Sequence, residues 1–309
     1  MTRLVVFSRM LLLGRTVARI AGCCGIRAEV TGDLDELRRS VLDHCPHLVL
    51  VGPEVLDETL QIVNGLDDVQ LLLWSSDDIT PLLATLHEAR VSHLFGLRYP
   101  DAPPRPWELV AVLHRLVSRK APSPADYLSW GAQQFGRTPA SVGDRDAIVA
   151  EVEGFCATLV GERAASTLAN VAHELLMNAM YDAPVDEKGR PLFAHDRTAP
   201  IDLDPAQRPR FVCGCDGSRL LLSVEDPFGR LRREHVFGGL ARALSSGTMD
   251  SSRGGAGLGL MVIYRATTMM FFDVLPGVRT RATVIVELDV PQRELRTLPR
   301  SIHFFREEP

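Results

Sequence analysis

Three short segments in the second half of the 309-residue chain carry side chains that can do chemistry. In the first, Asn170, Glu174 and Asn178 recur at every fourth position, so a helix would align them as one polar stripe. A carboxylate and an amide oxygen one turn apart can hold a hydrated magnesium ion, and the carboxylate can orient a water or hydroxyl nucleophile. A solvated helix edge has the same spacing.

The second segment is a strand that ends at Asp226 and turns at Gly229. A buried Asp there can accept a hydrogen bond from an exocyclic amine and so select adenine over guanine, whereas an ordinary Asp turn has the same residues. The third segment, residues 254–260 (GGAGLGL), leads into a helix. Its glycines would let backbone N–H groups approach phosphate, and a plain flexible loop is the alternative.

The elements around these segments form an α+β pattern. Two helices, an antiparallel hairpin, a third helix and a second pair of strands predict a sheet with helices on one face. These elements span residues 145–159, 162–181, 210–215, 219–225, 258–267, 269–275 and 280–288. Residues 184–209 are polar and rich in Pro and Asp, which indicates an irregular insertion.

The first part of the chain alternates buried strands with amphipathic helices. This pattern predicts a flavodoxin-like, doubly wound α/β domain over residues 1–119, with Asp33 as the N-cap of its second helix and a helix at 79–89. Residues 120–126 (KAPSPAD) read as a linker, so residues 127–309 form the second domain.

Taken in order, the three segments resemble the N box and the two glycine boxes of the GHKL superfamily of ATP-binding domains, which includes the histidine kinases. The likeness covers residues 145–290 and implies ATP and Mg²⁺ as cofactors. It implies Glu174 as general base or water-orienting carboxylate, Asn178 as magnesium ligand, Asp226 as adenine reader and Gly229 as the turn beneath the base. The other implied nucleotide-binding residues are Gly255, Gly257, Leu258, Gly259 and Thr283.

The chain departs from the family pattern at several positions. Its first glycine box has two residues between Asp226 and Gly229, where the family usually has one. Tyr181 stands where histidine kinases often carry Lys or Arg, and Asp182 stands where His or Tyr is common. Phosphate transfer therefore does not follow from the resemblance, which is closest to histidine-kinase-like domains and anti-sigma-factor serine kinases. Residues 230–253 would form the mobile lid of such a domain.

The first domain resembles the receiver of response regulators through residues 46–52 (PHLVLVG). The phospho-accepting Asp of that family falls at Gly52, and Ser8 and Arg9 follow the first strand where an acidic pair would hold magnesium. Without these carboxylates, aspartyl phosphate has no acceptor and no metal seat. We expect a pseudo-receiver that binds a protein; a generic doubly wound domain remains the alternative.

The amino-acid composition indicates which classes of partner and which compartment to expect. A formal net charge of -5 and a pI of about 6.0 give no reason to expect nucleic acid or an anionic membrane as partner. No apolar run reaches the ~20 residues that cross a bilayer, and the six cysteines read as reduced core residues, so we expect a cytoplasmic protein. A homodimer is compatible with the sequence.

Three functions follow from this reading. The first is a GHKL-type ATPase or protein serine/threonine kinase in bacterial signalling, acting on a partner through the N-terminal domain or the lid. The second is a non-catalytic scaffold or partner-switching regulator that responds to nucleotide. The third is a degenerate relative that no longer binds nucleotide.

Overall fold

The computed structural model describes residues 2–79, 82, 88–245, 258–295 and 297–307 of a mixed α/β protein. The chain forms two compact units. The first contains Met1–Pro122 and Thr297–His303, and the second contains Ser123–Arg296 and Phe304–Pro309. Residues 297–303, close to the C-terminus, thus belong to the first unit. Among the described residues, no helix is both long and apolar enough to cross a bilayer.

Parallel strands and helices alternate along the first unit. In chain order they are β1 (Arg3–Phe7), α1 (Leu11–Cys23), β2 (Arg27–Thr31), α2 (Leu34–His44), β3 (Leu48–Val51), α3 (Leu56–Ile62), β4 (Gln70–Ser75), β5 (Val91–Gly96) and α4 (Pro106–Ser118). The strand order is β2-β1-β3-β4-β5, and each neighbouring pair is parallel. The predicted helix at 79–89 lies mostly outside the described residues.

The order of strands explains where the helices lie. Right-handed crossovers from β1 to β2 and from β2 to β3 run in opposite directions, so they put α1 on one face and α2 on the other. Accordingly α1 packs against α4, and α2 packs against α3. Asp33 caps α2, because its carboxylate accepts hydrogen bonds from the N–H groups of Asp35 and Glu36, which confirms that prediction.

A strand from the far end of the chain completes this sheet. Ile302 and His303 of β11 (Ser301–Arg306) pair antiparallel with Leu94 and His93 of β5. His303 is fully buried, and its Nε2 lies 2.9 Å from Oε1 of the equally buried Glu108 on α4. The Arg105 guanidinium lies 3.5 Å from the second oxygen of the same carboxylate. A buried polar cluster thus ties the C-terminal segment to the first unit.

The second unit is built from helices and antiparallel strands. Its elements are β6 (Gln133–Arg137), α5 (Val142–Val160), α6 (Glu162–Met177), β7 (Arg210–Cys215), β8 (Arg219–Asp226), α7 (Arg233–Ser245), α8 (Leu258–Ala266), β9 (Met269–Leu275), β10 (Arg279–Glu287) and α9 (Gln292–Leu295). The strand order is β9-β10-β8-β7-β6, antiparallel throughout. Helix α6 packs against α5, α8 and β8.

The insertion at 184–209 is stabilised by one backbone bridge within itself and by another to the segment just before α5. An antiparallel bridge joins Val185 to Pro191, and a second joins Asp202 to Ser141 just before α5. The insertion is therefore part of the second unit, joined to it next to the start of α5.

We predict that Glu108→Ala lowers the free energy of unfolding by about 3 kcal/mol, because it removes a buried acceptor shared by His303 and Arg105. Glu153→Ala, at an exposed position on α5, is the control and should change it by less than about 0.5 kcal/mol. Urea denaturation measures both. Equal effects of the two substitutions would contradict a stabilising role for the buried cluster.

Candidate functional site

Helix α6 presents the polar stripe that the sequence indicated. Glu174 and Asn178 are half-buried and Asn170 is exposed. The apolar residues of the same helix are buried, so packing fixes the rotation of the helix and with it the direction of the stripe. These buried residues include Leu168, Val171, Leu175 and Leu176.

The helix changes pitch where the stripe ends. Residues Asn178–Asp182 form a π-helical turn, and the N–H of Ala183 donates to the carbonyl of Asn178, 3.0 Å away. Such single turns insert one extra residue into a helix and recur at functional sites. The turn packs against β8, which carries Asp226 at its end.

Tyr181 and Asp182, which depart from the family pattern, each contact the insertion. Tyr181 is 1% exposed, and its hydroxyl donates to the carbonyl of Ala199 at 2.8 Å. Asp182 pairs with Arg197 of the insertion. Burial raises the pKa of the Asp182 carboxyl group, although the Arg197 charge opposes the shift. Both side chains thus anchor the insertion.

The Glu174 carboxylate lies against the first turn of α8. A Cβ built on Gly259 would stand 2.2 Å from Oε2 of Glu174, so a side chain at position 259 would displace this carboxylate. A helix N-terminus carries partial positive charge, which stabilises a carboxylate there. Leu258, the first residue of α8, is half-buried.

Asp226 ends β8 with only 7% of its surface exposed. Its carboxylate accepts hydrogen bonds from the N–H groups of Phe228, at 2.9 Å, and of Gly229, and from the side chain of Thr280. Burial is the largest influence and raises the pKa of Asp226 to about 6 against these three hydrogen bonds.

Gly229 forms the turn after Asp226 with a φ of 62°. A Cβ at this position would stand 2.1 Å from the carbonyl oxygen of Leu275 and 2.7 Å from the nitrogen of Gly277. The turn therefore packs directly on the β9–β10 hairpin, and both its backbone angle and this contact require glycine.

Thr283 lies in β10 opposite Ser223 of β8. The two hydroxyl oxygens are 2.8 Å apart in a buried hydrogen bond. The Thr283 hydroxyl is thus engaged between strands.

The structure brings Glu174 to Gly259 and Asp226 to Gly229. Gly255 and Gly257 lie outside the described residues, as does the part of the predicted lid beyond Ser245. The preceding part of that segment forms helix α7. In the described ranges, no group of three or more His, Cys, Asp or Glu side chains is arranged to hold a metal ion.

Sequence reasoning missed Thr280 and the π-helical turn. Thr280 lies opposite Asp226 in the β8–β10 pairing, whereas the 276–277 turn sets only the β9–β10 register and pairs Thr280 with Val274, so counting from the turn does not find this contact. The π-helical turn has no local sequence signal, and within it Tyr181 and Asp182 contact Ala199 and Arg197 of the insertion.

Comparison with known proteins gives little. No protein-family model matches the sequence, and no curated protein matches it. Among solved structures, the chain is similar to HP1043, an orphan response regulator of H. pylori, with a TM-score of 0.31 and 17% identity over 38% of this chain and 95% of that chain. It is also similar to a fusion carrying residues 181–211 of the yeast Spc42 trimeric coiled coil, with a TM-score of 0.31 and 12% identity over 51% of this chain and 93% of that chain.

We predict that Gly229→Ala lowers the free energy of unfolding by about 3 kcal/mol, because the new methyl group would meet the backbone of the β9–β10 hairpin. Gly217→Ala is the matched control. Gly217 also has a positive φ, of 87°, but its Cβ would point into open space, so only the backbone cost of about 1 kcal/mol applies. Equal losses in urea denaturation would contradict the close packing at Gly229.

Asp226 gives a prediction about pH. The pKa of an unfolded Asp is about 3.9, so the folded protein holds this proton more tightly. The resulting stabilisation is complete below about pH 4 and is lost as the pH rises through about 6. Asp226→Asn removes the titration, so the stability of the variant relative to wild type should rise by roughly 2 kcal/mol between pH 4 and pH 7. Urea denaturation across this range tests it, and a constant difference would show that Asp226 titrates normally.

Proposed function

We propose that the second unit binds ATP with Mg²⁺ and that the chain is a GHKL-type signalling protein. The approach of the Glu174 carboxylate to Gly259 carries this proposal. It brings together an acid that can orient a nucleophile and a helix N-terminus that can bind phosphate, from two segments far apart in the sequence.

Asp226 would read the adenine base. Its three local hydrogen bonds hold the carboxylate in one orientation. A carboxylate has about four acceptor sites, so one remains for the exocyclic amine of adenine. Guanine carries a carbonyl oxygen at the corresponding position, and two acceptors facing each other would disfavour it.

Asn178 and Glu174 would serve the phosphate end. Within the part of the chain that the structure describes, neither side chain forms a hydrogen bond or an ion pair, so both are available. Mg²⁺ commonly takes one or two protein oxygens and completes its shell with phosphate and water, which suits one amide oxygen from Asn178. Bound ATP would supply a transferable phosphoryl group, and Glu174 would orient the water or hydroxyl that attacks it.

The chain would then act as an ATPase or as a protein serine/threonine kinase on a partner protein. The first unit lacks a carboxylate at Gly52, so its role would be to bind a partner and not to accept a phosphoryl group.

A non-catalytic role as a nucleotide-dependent scaffold is the second candidate. It is favoured by Tyr181 and Asp182, because neither offers the cation that histidine kinases carry near this position and both side chains are tied to the insertion. In this role, ATP and ADP would give the protein different affinities for its partner.

Calorimetric titration of ATP, ADP and GTP, each with and without Mg²⁺, tests nucleotide binding. We expect adenine nucleotides to bind with dissociation constants of about 1–100 µM, GTP not to bind, and Asp226→Asn to abolish the heat. If wild-type protein binds none of the nucleotides, the proposal is wrong.

Glu174→Gln separates catalysis from binding. If the chain is an enzyme, this substitution should lower magnesium-dependent phosphate release by at least about 100-fold while ATP affinity stays within a few-fold of wild type. Glu162→Gln, at the exposed start of α6, is the control and should leave both unchanged. Tight ATP binding with no turnover in wild type would favour the scaffold.

A further inference from the structure

We propose that the first unit has a binding site for a small zwitterion of the amino-acid class. The site is a cavity of about 250 Å³ at the carboxyl ends of β1, β3 and β4. The strand order reverses between β1 and β3, because the chain runs outward from β1 to β2 on one side and to β3 on the other. Open parallel sheets bind ligands at this position.

The floor of the cavity is apolar. Phe7, Leu13, Trp74 and Leu97 line it, and each is buried. These side chains come from two strands, a helix and a loop of the unit, and together they form an apolar surface for a hydrocarbon or aromatic group.

The polar rim is fixed by local hydrogen bonds. The Ser8 hydroxyl, at the end of β1, donates to the carbonyl of Met10 at 3.0 Å. At the end of β4, the Ser75 hydroxyl accepts from the N–H of Asp77 at 3.0 Å and donates to its carbonyl. These hydrogen bonds constrain both loops beside the cavity, which reduces the ordering needed on binding.

Charges of both signs line this rim. Arg9 follows β1, Glu54 follows β3 and Asp77 follows β4. None of the three forms an ion pair with another described residue, although they share one cavity. A ligand with both charges would be matched at each of them, whereas a simple anion would face two carboxylates and a simple cation would leave Arg9 unmatched.

Gly52 determines where one of these charges lies. A Cβ on Gly52 would stand 2.1 and 2.6 Å from the two carboxylate oxygens of Glu54. The Glu54 carboxylate therefore folds back over the end of β3, into space that any side chain at position 52 would fill. The glycine that removes a phosphate acceptor thus makes room for a second-neighbour carboxylate in the cavity.

Volume sets the size of the ligand. The cavity of about 250 Å³ is partly open to solvent and is small for a ligand site, so it suits a small molecule such as an amino acid. An amino acid of this size would direct its ammonium group to Glu54 and Asp77, its carboxylate to Arg9 and its side chain to Trp74.

The test screens the standard amino acids, each at about 1 mM, against the full-length protein by thermal shift and tryptophan fluorescence. We expect at least one to raise the melting temperature and to change the fluorescence. Trp74→Phe should remove the fluorescence change, since the other two tryptophans do not line the cavity. The amine and the carboxylic acid corresponding to the best ligand, each with one charge removed, should bind at least about tenfold more weakly.

Substitutions of exposed residues locate the site. Glu54→Gln and Arg9→Gln should each weaken the best ligand by about tenfold or more, and so should Gly52→Ala, which displaces the Glu54 carboxylate. Glu58→Gln and Arg15→Gln, exposed on neighbouring helices and outside the cavity, should leave binding unchanged. If no amino acid produces a signal, or if the ligand binds the Glu54 and Arg9 variants as tightly as wild type, the proposal is wrong.

Discussion

The approach of the Glu174 carboxylate to the backbone of Gly259 is the constraint on which the candidate nucleotide site depends. It depends on the packing of α6 against α8, and a side chain at position 259 would displace the Glu174 carboxylate. The partial positive charge of the α8 N-terminus offsets part of the cost of holding a carboxylate in a half-buried place. Asn178, the other candidate phosphate-end residue, begins the π-helical turn that follows α6.

The charge state of Asp226 depends on two opposing effects, burial and hydrogen bonding. Desolvation alone would favour its neutral form strongly, and three hydrogen bonds recover only part of that cost, which leaves the pKa near 6. At neutral pH the carboxylate is therefore charged but poorly solvated. A group in this state gains more from an additional donor than an exposed carboxylate would, because the donor replaces water that the fold has already removed. A structural cap of a turn would not need such deep burial; an exposed Asp satisfies the same N–H groups at lower cost.

Local patterns predicted most elements of both units. The strands at 210–215 and 269–275, the hairpin between 215 and 219, and the Asp33 cap depend on residues close together in sequence, and the structure has them as expected. The strands Gln133–Arg137 and Ser301–Arg306 were missed. The first is largely polar and exposed, so it lacks an alternating pattern, and the second is recruited by a segment some 200 residues away, as the Ile302–Leu94 pair shows. Tertiary contacts of this kind leave no local periodicity.

The candidate site residues were found from spacing, but their mutual arrangement could not be. Helical periodicity aligns Glu174 with Asn178. The sequence does not indicate which of the glycines Glu174 contacts, and the structure shows that it is Gly259. In the first unit, too, the sequence predicts residue types but not which side chains come together. The sequence shows that position 52 is glycine and carries no carboxylate. It does not show that Glu54 folds back into the space above Gly52. A position without a side chain leaves a volume that a neighbour can fill, and at Gly52 the Glu54 carboxylate fills it.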